Sequence, residues 1–103
     1  LDPINGMYWT WQSGYINVKL EGSSQICPTR GNAFQYHLGG YSVPYNALQI
    51  VTLNVLPVSE IVIQLTLDSL FTERNLKENN HIMSPSNNAV QLSQEIKTLF
   101  SVK

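Results

Sequence analysis

The chain has 103 residues, 43% of them hydrophobic and 10% aromatic, and its six Lys and Arg against seven Asp and Glu leave a formal charge of −1. That length accommodates one domain with a single modest core. The even, sparse charge provides no electrostatic footprint for nucleic acid or an anionic membrane, and no apolar run is long enough to span a bilayer.

Taken in chain order, "LDPING" at residues 1–6 reads as a turn rather than the beginning of an element, and the chain is expected to be part of a longer protein. "NGMYWTWQSGY" follows, with two tryptophans and two tyrosines within eleven residues. In an extended segment Trp9 and Trp11, two positions apart, project from the same face, and their ordinary role would be an aromatic patch in the core or at its rim. "YINVKLE" alternates Ile16, Val18 and Leu20 with Asn17, Lys19 and Glu21, which predicts a strand near 15–21 with one wet face.

"SSQICPTRGN" is a loop of small, polar, Pro and Gly residues. It holds the lone Cys27, which excludes an internal disulfide and any cysteine-based metal site. The thiol is either simply buried or half-buried, or paired with a cysteine outside this sequence. "AFQYHL" predicts a strand at 33–38 with Phe34, Tyr36 and Leu38 toward the core and His37 on the opposite face, outward or in a cleft. "YSVPYN" is an irregular connection at Pro44. Two further strands are expected near 48–55 and 61–67, joined as a hairpin or a sheet-changing arch, with Ile61, Ile63, Leu65 and Leu67 facing inward together with Ile16, Val18 and Leu20. The tail changes period: Ser84 and Pro85 read as N-cap and first turn, and Ala89, Leu92, Ile96 and Leu99 recur at helical spacing, predicting an amphipathic helix near 87–100 that lies on the sheet.

The expected fold is mainly β, a β-sandwich or the C-terminal part of one, with one C-terminal α-helix. Four or five strands and a helix are too few to close a sandwich, so the chain should meet a companion, another polypeptide or a copy of itself, that contributes strands.

No nucleophile elbow, phosphate-binding loop, dinucleotide fingerprint or zinc-protease motif is present, and the seven carboxylates are scattered, so the chain is not expected to be an enzyme. The remaining chemistry belongs to soft metals: His37, His81, Met7, Met83 and the two tryptophans. Imidazole and thioether suit copper, Cu(I) above all. Singly, such histidines are more often surface or hydrogen-bonded groups, and methionines more often packing residues.

"DPINGMYWTWQSGYINVKLEG", "FQYHLGGY" and "HIMSPSNNAVQLSQEIKTLF" together resemble the MbnP-like family, the partner proteins of methanobactin gene cassettes and their Bacteroidetes relatives. The likeness runs over nearly the whole chain, and its most specific element is the block from Gly6 to Tyr15. It implies an exported β-sandwich about twice this length, so residues 1–103 would form a single partial domain, the C-terminal portion. It also implies one bound copper ion, held by histidines and a kynurenine that a MauG-type diheme peroxidase makes from a tryptophan. On that reading His37 and His81 are the candidate metal ligands and Trp9 or Trp11 the candidate modified tryptophan. Two functions stand: an exported, non-catalytic copper-binding accessory protein of the periplasm, outer membrane or cell surface, or a structural interaction module of the bacterial cell envelope that pairs with another chain and binds no metal.

Overall fold

A computed structural model describes residues 6–7, 9, 15–41, 43–57 and 59–103. The described elements are five strands in two sheets and two α-helices, a mixed α/β arrangement in which strands predominate.

The first sheet is built by two matched alternations. Strand β1 (Val18–Ser23) pairs antiparallel with β2 (Ala33–Leu38), setting Leu20 against Tyr36 and Lys19 against His37. Strand β4 (His81–Ile82) joins the other edge of β2 in parallel, with Ile82 beside Tyr36 and His81 beside Gln35. Because successive side chains leave opposite faces, Leu20, Tyr36 and Ile82 form one row and Glu21, Gln35 and His81 another on the reverse side. The apolar row, with Leu38, is covered by helix α2 (Asn87–Lys97) through Ala89, Leu92 and Ile96, and by Leu70 from a 3-10 turn at Leu67–Leu70. The ring of Phe34 stacks on Tyr36 at 5.6 Å between centroids and meets Phe71 at 5.1 Å, sealing one end. Tyr36, at the centre, is wholly buried, and its hydroxyl donates to the Asn75 carbonyl of α1 (Glu73–Lys77) at 3.1 Å.

The helix expected on the sheet begins at Asn87 as the apolar spacing predicts, but its cap and its C-terminal end differ. Its cap is Ser86, whose hydroxyl accepts from the Ala89 amide at 3.1 Å, not Ser84. It ends at Lys97: the Leu99 amide turns back to the Ile96 carbonyl, and the chain enters β5 (Phe100–Val102) directly. Leu99 and Phe100, in phase with the helix, are thus a turn and a strand, because β5 finds its ladder against β3 (Ile63–Leu65) in the second sheet.

The 61–67 strand is correct in kind, shorter in extent, and paired with β5 rather than with 48–55. Residues 48–55 form no strand or helix, although they are rich in β-branched residues; no ladder partner lies beside them among the described residues. The inward face expected for these segments is corrected accordingly. Ile61, Ile63 and Leu65 are exposed, and Leu67 is half-buried, because no layer covers the two-stranded sheet among the described elements. On β1 the approach to the strand at Ile16 is buried, Leu20 is half-buried, and Val18, toward the sheet's open end, is exposed. The layer facing the first sheet is a helix; a second sheet packed on it is not among the described elements.

Candidate functional site

The reverse face of the first sheet gathers the polar side chains of three strands. Glu21 is its hub. Its Oε2 lies 3.0 Å from His37 Nε2 and accepts from Gln35 Nε2 at 3.1 Å, while its Oε1 lies 3.9 Å from Lys19 Nζ. Lys19 in turn donates to the Gly6 carbonyl at 3.2 Å, and the Ile16 amide donates to the Met7 carbonyl at 2.9 Å, so Gly6 and Met7 are tied to β1 and to the residues that lead into it. The hydrogen bond from His37, followed by the nearby Lys19 charge, holds the Glu21 carboxyl below the usual carboxylate range.

That ionised carboxylate can only accept hydrogen bonds. His37 Nε2 must therefore carry the proton it presents to Glu21, and in the neutral imidazole Nδ1 carries the lone pair. His37 is 6% exposed. His37 occupies the expected face, opposite Tyr36 and Leu38; of the two placements expected there, outward or in a cleft, the exposed one is corrected, since the ring is buried beside the Glu21 carboxylate.

The parallel register brings His81 to the same face. It stands beside Gln35, two positions along from His37, which sheet geometry converts into about 8 Å between the two histidine Cα atoms. His81 is exposed, on the face of β4 opposite the buried Ile82. Among the described residues no three His, Cys, Asp or Glu side chains form a metal-holding group. Trp9 is buried at 4% exposure, whereas Trp11 lies outside the described residues. Met7 and Met83 are half-buried, and Cys27 is a free, buried thiol.

Glu21 is the group that residue types alone did not single out. It is one of seven scattered carboxylates until the β1–β2 register is known. The alternation that puts Lys19 and Glu21 on the wet face was the available signal, and only the pairing shows that this is also the face of His37.

A model of the MbnP family matches residues 1–85. The chain belongs to the MbnP family. The matched region takes in the aromatic block, the first sheet with Glu21, His37 and His81, and β3, and it stops just short of α2 and β5. No curated protein and no solved structure matches the chain. No helix among the described residues is long and apolar enough to cross a membrane.

Proposed function

We propose that this MbnP-family chain is an exported, non-catalytic accessory protein that binds copper through His37 and His81. The observation that carries the reading is the Glu21–His37 pair. A metal-binding histidine typically gives its other ring N–H to a carboxylate, which fixes tautomer and ring orientation and raises ligand basicity. Glu21 does this for Nε2 and turns the Nδ1 lone pair to ligation.

The residues present fit a soft monovalent ion. Two imidazoles on neighbouring strands supply neutral donors, and Cu(I) accepts a small set of them, whereas a divalent ion would call for further or anionic ligands. Copper would bring redox-active, soft-donor chemistry to the site; the protein contributes donor orientation and partial exclusion of water. Trp9 or Trp11, oxidised by a MauG-type diheme peroxidase, is the candidate third donor, and the periplasm, outer membrane or cell surface is the setting that the family resemblance supports.

Competition for Cu(I) against a chromophoric chelator tests the proposal. His81→Ala, at an exposed position, should lower affinity with little change in stability. Glu21→Gln should weaken binding by about 10- to 100-fold, the cost usual for losing such an outer partner. Undiminished Cu(I) binding in both variants would refute the two-histidine site. Intact-mass spectrometry of protein from its native host would report conversion of either tryptophan.

A second reading, a cell-envelope module that pairs with another chain, is favoured by one observation: the large apolar side chains exposed between residues 48 and 65.

A further inference from the structure

Much of the exposed apolar surface lies in one stretch of chain. Leu48, Ile50, Val55, Leu56, Ile61 and Ile63 are exposed, and from Tyr45 to Thr66 the only charged side chain is Glu60. Two such surfaces can meet with almost no like-charge repulsion. Beside them runs an apolar groove of about 510 Å³ whose walls include Val18, Leu38, Leu53, Ile63 and Ile96.

The backbone points the same way. The Lys103 amide donates to the Val62 carbonyl and the Thr66 amide to the Leu99 carbonyl, so the even-numbered residues of this strand face β5. In an antiparallel ladder the amides and carbonyls of Ile63 and Leu65 then point to the other edge, where no strand pairs among the described residues. Residues 48–56 have the side chains of a strand and no ladder. An open edge and an unpaired, uncharged strand-like segment in one chain are complementary between two copies.

We infer that residues 48–65 form a two-fold interface between two copies of this chain, the 48–56 segment of each lying along the free edge of β3 in the other. A two-fold axis satisfies both edges at once and closes the assembly. This rests on the pairing reading and is independent of the metal reading.

Sedimentation velocity and light scattering on the 103-residue chain test it. The unmodified protein should sediment with twice the chain mass. Ile50→Lys and Ile63→Lys, both at exposed positions, should give monomers with unchanged far-UV circular dichroism, while the control Ile26→Lys, outside this stretch, should remain dimeric. Amides of residues 48–56 should exchange at least about tenfold more slowly in the unmodified protein than in Ile50→Lys. A dimer unaffected by both substitutions overturns the inference. So does a monomer, and an apolar dye then separates two cases: fluorescence that falls in Ile50→Lys retains the pairing reading with a different partner, and no dye binding discards that reading as well.

Discussion

The Tyr36 phenol is buried beneath α2, and burial, reinforced by the nearby Cys27 and Glu95, pushes its pKa up to about 12. An ordinary tyrosine in the unfolded chain titrates near pH 10. The folded state therefore holds the proton more tightly, and the stability from this group is intact below about pH 10 and lost as pH rises toward 12. Alkaline unfolding followed by circular dichroism should show a descending limb in that window, and Tyr36→Phe should remove it. The same substitution removes one hydrogen bond to the Asn75 carbonyl, which still accepts from the Asn79 amide at 3.1 Å, at a cost of about 0.5–1.5 kcal/mol at neutral pH. Glu21 works at the other end of the scale. Its depressed carboxyl contributes above the ordinary carboxylate range, and the contribution disappears as pH falls through the lowered value. Carbon-detected NMR titration should give Glu21 a midpoint below that of an ordinary glutamate, and His37→Ala should move it upward, since the His37 hydrogen bond is the largest cause of the shift.

At the scale of elements, α2 depends on one cap and one stripe. Ser86→Ala removes the side-chain acceptor for the Ala89 amide and should cost about 1 kcal/mol. Leu92→Ala, which opens a cavity over Tyr36 and Leu38, should cost about 2–5 kcal/mol in urea denaturation. The glycine pair that ends β2 has separate requirements. Gly40 holds φ +88, where a side chain is strained, and a Cβ on Gly39 would collide with the backbone carbonyl of Tyr15.

The parts legible in the sequence were those governed by local period. β2 matches its predicted bounds, β1 lies within a few residues of them, and α2 starts where its apolar stripe starts. The parts that were not legible depend on what lies alongside. β4 is two residues long, too short for any alternation, and exists because β2 has an open edge. Residues 48–55 are rich in strand-forming residues and find no ladder partner among the described residues. In α1, Thr72 caps the Asn75 amide and Glu73 pairs with Lys77 four residues on, so short-range signals were present, but without an apolar stripe to mark them. The candidate site divides in the same way: His37 and His81 were evident as residue types, whereas their shared face and the part of Glu21 follow from two strand registers.

Across the whole molecule, the two halves of the chain are stitched together. β2 pairs in parallel with β4 from the other half of the sequence, and the core beneath α2 draws Tyr36 and Leu38 from the first half and Leu70, Ile82, Ala89, Leu92 and Ile96 from the second. Such distant pairings slow folding, because a long loop must close before any contact rewards it. The loop itself, from Gly40 to Val62, contributes no described strand or helix. Its role within one copy is that of a tether, and a tether can be cut. Residues 1–59 and 60–103, produced as separate polypeptides in one cell, should find each other through the β2–β4 ladder and the shared core and co-purify as a single reconstituted unit. Leu92→Ala in the second piece should loosen that reunion. Joined instead by a new linker between the present ends, the same halves would make a circular permutant whose termini open at Ser59 and Glu60, a protein whose beginning and end have moved while its core has not.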